Sequence, residues 1–255
     1  MDELKEELAL HLLRNGSKIL DRRQLEAVVT VFMMLDDGAA LNESSKGIDQ
    51  GRYGIDSRFV SRFFDVCPPP LKTQLFDTFA TSRLDPSTYK RLLSEAWNIA
   101  TGSISDRVRI ALDLEGFLRR NPGRAEEYRD FVLELLRSPS PRLCVRGLYQ
   151  VSYLNDVEER DLSRIQKKLS AADADLRMNA LNGLCEWVKR AHEVSPRVLA
   201  FCTSPEIRER AREIFRSDPG KYPRTCAYWY LRALGAYHRD QRPASKRRRP
   251  QTRSS

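Results

Sequence analysis

The sequence has little histidine, glycine or proline, no paired cysteines and no long apolar run. Gly and Pro together make 25 of 255 residues, too few for a collagen-like or low-complexity chain. The three histidines, His11, His192 and His238, have no Cys or His at metal-ligand spacing, so no metal site is expected. No GxSxG, HExxH, GxGxxG or GxxxxGK[ST] pattern occurs, and no cysteine stands in a nucleophile context. No catalytic residue, cofactor or metal is therefore predicted. The five cysteines, Cys67, Cys144, Cys185, Cys202 and Cys226, form no CxxC pair. Scattered beside apolar segments, they fit small core residues of a reducing compartment better than a disulfide or zinc framework. The most apolar run, Ala27 to Leu35, has nine residues, against the roughly 20 a membrane-spanning helix needs. The opening "MDELKEELALHLLRN" is acidic and amphipathic and lacks the two halves of a secretory signal. Neither membrane association nor export is expected.

Charge is plentiful, at 31% of residues, with a formal net of +9. From Arg239 onward stand seven basic residues and one acid, a net of +6, which leaves +3 for the preceding 238 residues. Most of the excess is in the tail.

Strand patterning is nearly absent. Apolar residues at helical spacing, opened by Ser or Asp, predict helices near 2–14, 20–35, 57–66, 70–82, 86–100, 105–120, 124–137, 141–154, 158–170, 174–191, 196–202, 205–216 and 222–238. Residues 36–56 hold Gly38, Gly47, Gly51 and Gly54 and read as a long loop. They do not make a calcium loop: Asn42, Ser44 and Gly47 fit its spacing, but Lys46 takes a ligand position and Tyr53 replaces the bidentate glutamate. The prolines and polar residues of 239–255 predict a disordered basic tail.

The C-terminal half repeats itself. "SDRVRIALDL", "SPRLCVRGLYQV", "DADLRMNALNGL" and "SPEIRERAREIF" place their first apolar anchors, Val108, Leu143, Leu176 and Ile207, at intervals of 35, 33 and 31 residues. A two-helix repeat produces such a period. Leu148 and Leu181 continue the pattern, and a small residue, Gly147, Ala180 or Ala211, stands four positions after the anchor, where close helix approach needs it. These stretches resemble the second helix of HEAT repeats, with "DADLRMNALNGL" the nearest copy and "SPRLC" lacking the arginine after its aliphatic residue. The resemblance covers about residues 103–238 and implies an all-α, right-handed superhelix of helix pairs, with 1–101 an irregular helical region packed onto it. It implies no activity.

Ser-Pro pairs at Ser138, Ser140, Ser195 and Ser204 read as helix N-caps followed by proline at the first helical position. Ser245, beside "KRRR", reads instead as a candidate phosphosite. The stretch from Tyr222 to Asp240 interleaves aromatics with arginines. Cys226, Tyr230, Ala233, Leu234 and Tyr237 form one stripe, as for a terminal helix covering the last repeat, while Arg224, Tyr228, Trp229 and Arg232 are candidate nucleic-acid contacts. Lys246, Arg247, Arg248 and Arg249 match a nuclear localisation signal read by an importin-type receptor, and the same residues suit phosphate neutralisation.

Together these features predict a non-catalytic helical-repeat scaffold that binds another macromolecule, foremost a protein. The tail would address it to the nucleus; without that address it would be cytoplasmic. Two alternatives compete: nucleic-acid binding through the tail and the Tyr222–Asp240 stretch, and a DNA-repair enzyme of the glycosylase type found among HEAT-like proteins. The second rests on Trp97, Trp187 and Trp229 and on the repeat arginines.

Overall fold

The computed structural model describes residues 57–69, 72, 73, 76 and 84–240. The described residues are all-α, with ten α-helices and no strand. None of these helices is long and apolar enough to cross a membrane. The helices expected at 2–14 and 20–35, most of that at 70–82, and the loop at 36–56 lie outside the described residues, as does the tail beyond 240.

The chain divides into two compact units, Met1–Asn121 and Pro122–Ser255. In the first, α1 (Ser57–Val66), α2 (Pro86–Ile99) and α3 (Ile104–Arg120) are described. Local chemistry starts the last two. Asp85 caps α2, its Oδ1 accepting from the amides of Ser87 and Thr88 at 3.1 and 3.0 Å, with Pro86 preset for the first turn. Ser103 caps α3 by accepting from the Asp106 amide at 3.2 Å. Their core joins Leu92, Leu93 and Ala96 of α2 to Ile110, Leu114 and Leu118 of α3, and Tyr89 stacks on Phe117 with ring centroids 4.1 Å apart. The helix carrying Val108 thus falls in this unit, apart from the other three repeat-like openings.

The second unit contains α4 (Arg129–Arg137), α5 (Pro141–Gln150), α6 (Glu159–Lys168), α7 (Ala174–Lys189), α8 (Pro196–Thr203), α9 (Pro205–Ser217) and α10 (Lys221–Asp240). Two expected helices end differently. The one predicted over 124–137 begins as a 3-10 segment, Pro122–Tyr128, in which residues three apart eclipse. Arg124 with Glu127 and Glu126 with Arg129 use that spacing for ion pairs of 2.7 and 2.6 Å. The other, predicted over 141–154, leaves α geometry after Gln150 for a 3-10 turn, Val151–Tyr153. There the Ser152 hydroxyl donates to the Tyr149 carbonyl at 2.7 Å, a local bond that competes with the helical ladder.

Of the four Ser-Pro serines, Ser195 and Ser204 cap α8 and α9 through their hydroxyls. Ser140 occupies the N-cap of α5 without a side-chain bond, whereas Ser138 ends α4 and accepts from the Ser140 amide.

Helix α7 is central to the second unit and packs against α5, α6, α8 and α10. Two glycines let these helices approach. A methyl group on Gly147 of α5 would lie 2.2 Å from the Leu136 backbone nitrogen of α4, and one on Gly183 of α7 would lie 2.8 Å from the Leu148 carbonyl oxygen of α5. The anchors Leu143, Leu148, Leu176, Leu181 and Ile207, together with Ala180 and Ala211, are all buried. Helix α9 lies chiefly against α10, and it is α10 that packs broadly on α7.

Two charge pairs with buried carboxylates join distant segments. Arg137, ending α4, makes a bidentate contact of 2.8 and 2.6 Å with Asp161 of α6, whose side chain is fully buried. Arg177 of α7 donates to both carboxylate oxygens of Asp218, at 2.6 and 2.9 Å, and to the carbonyls of Ala171 and Ala172 at 2.6 Å. Trp187 is fully buried and donates its indole N–H to the Leu154 carbonyl at 2.9 Å.

Candidate interaction surface

The Asp218-Pro-Gly turn sets the start of α10. Asp218 accepts from the Gly220 amide at 2.8 Å, and Arg224 donates back to the Asp218 carbonyl at 2.6 Å. Of the predicted contact residues, Arg224 is therefore engaged in holding this turn. Along α10 the buried row is Pro223, Ala227, Tyr230 and Leu234, at the three- and four-residue steps of one helical face. This corrects the expected stripe slightly: Cys226, Ala233 and Tyr237 flank the row half-buried, and Ala227 lies at its centre. The Tyr230 hydroxyl donates to the Cys202 carbonyl of α8.

The outer face carries further aromatic rings. Tyr222 is 70% exposed, Trp229 49% and Tyr228 44%, and Phe215 of α9 adds a ring that is 46% exposed. Tyr228 lies 6.2 Å from Phe215 and 5.2 Å from Trp229 between centroids, the latter edge to face. The Arg232 guanidinium sits 5.2 Å from the Trp229 ring centroid, within cation–π range. Four of the six large exposed apolar side chains among the described residues thus belong to α9 and α10. Each forgoes part of the roughly 1.5–3 kcal/mol that full burial of a large apolar side chain contributes, and Phe215, Tyr228 and Trp229 lie in one contiguous patch.

In the sequence, the net charge concentrates from α10 onward. From Lys221 to the C-terminus there are ten basic residues and one acid, a net of +9, so residues 1–220 carry 34 of each sign. Helix α10 holds Lys221, Arg224, Arg232 and Arg239 before Asp240, its only carboxylate. Helix α9 is nearly balanced and pairs Arg212 with Glu209 at 2.9 Å and Arg210 with Glu213 at 2.7 Å. The predicted contacts Tyr228, Trp229 and Arg232 come together with Phe215, which sequence reasoning passed over because nothing local joins it to a helix six residues later. Lys246, Arg247, Arg248, Arg249 and Ser245 lie outside the described residues.

Other candidates are structural. A cleft of about 280 Å³ lies between the α6–α7 turn, α9 and the turn before α10, but its charged walls, Arg177 with Asp218 and Arg210 with Glu213, satisfy one another. No three His, Cys, Asp or Glu side chains among the described residues converge to hold a metal. Cys67, Cys144, Cys185 and Cys202 are buried and Cys226 half-buried, all as free thiols. Burial pushes the Cys67 thiol up to about 12 and raises the other four, so thiolate chemistry is disfavoured. Trp97 and Trp187 are 5% and 0% exposed; of the three tryptophans that suggested a base-binding face, Trp229 alone faces solvent.

Comparison with protein-family models, with curated proteins and with solved structures finds no match.

Proposed function

We propose that the chain is a non-catalytic scaffold of HEAT-like helix pairs, coiled right-handedly, which docks another macromolecule on the outer face of α9 and α10. The observation that carries the reading is the cluster of exposed, contiguous rings formed by Phe215, Tyr228 and Trp229, with Tyr222 also exposed at the start of α10. The 33-residue interval from Leu143 to Leu176 and the packing of α5 on α7 support the repeat assignment. Capture from the native cell with the full chain, before and after nuclease treatment, tests the docking role. Trp229→Ala should lose partners that the wild-type chain retains, since aromatic anchors dominate such surfaces. Identical sets of captured molecules would refute it.

The proposal extends to Lys246, Arg247, Arg248 and Arg249 as an address for an importin-type receptor, with phosphate on Ser245 opposing it through its negative charge. Replacing these four with glutamine should abolish nuclear accumulation and leave thermal stability unchanged. Fluorescence localisation and a melting curve check the pair of outcomes.

A further inference from the structure

The docking face has a chemistry that narrows its partner. An acidic or apolar protein surface, a second copy of the chain and a nucleic acid would each cover exposed rings. Self-association through a symmetric contact is opposed by charge, because both copies would bring Lys221 and Arg232 to it. The exposed side chains are aromatic rather than aliphatic, and Phe215, Tyr228 and Trp229 are contiguous, with centroids 6.2 and 5.2 Å apart. Arg232 lies over one of them. The protein's whole net charge of +9 lies from Lys221 onward. Aromatic faces beside cations suit a polyanion whose own rings are free to stack. In a duplex those rings are already stacked, and reaching them would require unpairing.

We infer that the face formed by Phe215, Tyr228, Trp229 and Arg232 binds single-stranded nucleic acid without reading its sequence. The bases stack on the rings, and Lys221 and Arg232 neutralise phosphates. The inference rests on the docking role proposed above and names its partner.

Fluorescence anisotropy of the full chain with an oligothymidylate of about 20 nucleotides, and with a duplex of equal length, tests it at several salt concentrations. The single strand should bind tighter than the duplex. Trp229→Ala should weaken single-strand binding by about 5- to 100-fold with the salt slope unchanged, since no charge is removed. Trp229→Phe, which keeps a ring, should retain most of the affinity. Replacing Lys221 and Arg232 with glutamine should flatten the slope of log affinity against log salt by up to about 1.4. Because Trp229 is half-exposed, its variants should melt with the wild type.

Equal affinity of Trp229→Ala and wild type, or equal binding of duplex and single strand, would overturn the inference in favour of a purely charged arm. Absence of oligonucleotide binding, with a nuclease-resistant protein partner still lost on Trp229→Ala, would overturn it while leaving the docking role standing. If neither oligonucleotide nor any captured partner responds to Trp229→Ala, both fall.

Discussion

Replacing Gly147 with alanine is expected to destabilise the protein by about 3 kcal/mol or more, and valine to prevent folding. The added methyl would meet backbone, not a side chain that can turn away. It would lie 2.2 Å from the Leu136 nitrogen and 2.6 Å from both the Leu135 carbonyl carbon and the Leu136 Cα. Helices α4 and α5 would have to separate, and Leu135, Leu136 and Leu148, all buried nearby, would lose packing with them. Gly183→Ala should cost less, because its one close neighbour is the Leu148 carbonyl oxygen at 2.8 Å. Gly235 of α10 has nothing within 4 Å, so Gly235→Ala should stabilise by about 0.5–1 kcal/mol through helix propensity and a less flexible unfolded chain. Urea denaturation of the three variants should give midpoints in that order. A Gly147→Ala midpoint at or above that of wild type would contradict the close approach of α4 and α5.

Arg177→Met should cost about 3–5 kcal/mol, because it leaves Asp218 buried without its cation and two carbonyls without a donor. The double variant Arg177→Met, Asp218→Leu should recover much of that loss, since removing both charges removes the uncompensated one. The pair also predicts acid sensitivity. The Arg177 guanidinium, assisted by the Gly220 amide, holds the Asp218 carboxyl below the usual carboxylate range against the opposing effect of burial. A carboxyl depressed by folding contributes stability that is present in full above its unfolded value of about 3.9 and is lost as pH falls through the folded value. Wild-type stability should therefore fall below about pH 4, and Asp218→Asn, less stable at neutral pH, should show less of that fall. Equal acid slopes for wild type and Asp218→Asn would rule out this linkage.

Much of the helix pattern was legible because helix starts are local. Asp85, Ser103, Asp173, Ser195 and Ser204 cap the helices they precede, each through a side-chain oxygen within three residues of its donor. The spacing of anchors likewise foretold the packing of α5 on α7. It could not foretell that α10 would take the next place, since "SPEIRERAREIF" opens α9 with the same chemistry whichever neighbour it meets. The arginine that follows the aliphatic anchor was visible in three openings, yet its uses differ. Arg177 enters a buried ion pair, Arg109 reaches Asp106 in its own helix at 3.0 Å, and Arg208 meets His238 at 3.2 Å. The partner of Arg177 stands 41 residues away, beyond any periodicity. On α10, aromatic residues occupy both faces, and Tyr230 inside adjoins Tyr228 and Trp229 outside. Only the placement of α7, α8 and α9 around the helix separates packing from display.

The Arg177–Asp218 contact also bears on how the second unit comes apart. In a linear array each repeat touches only its neighbours, and terminal helices can peel away one at a time. Here the pair closes a loop from the first turn of α7 to the end of α9, and α10 returns from that closure to lie on both helices. The last helix cannot leave without exposing α7, nor can α9 leave without breaking a buried charge pair. Helices α7 to α10 should therefore open as a single cooperative unit, and backbone amides in α10 that would fray freely in an open-ended stack are expected to exchange as slowly as those of α7.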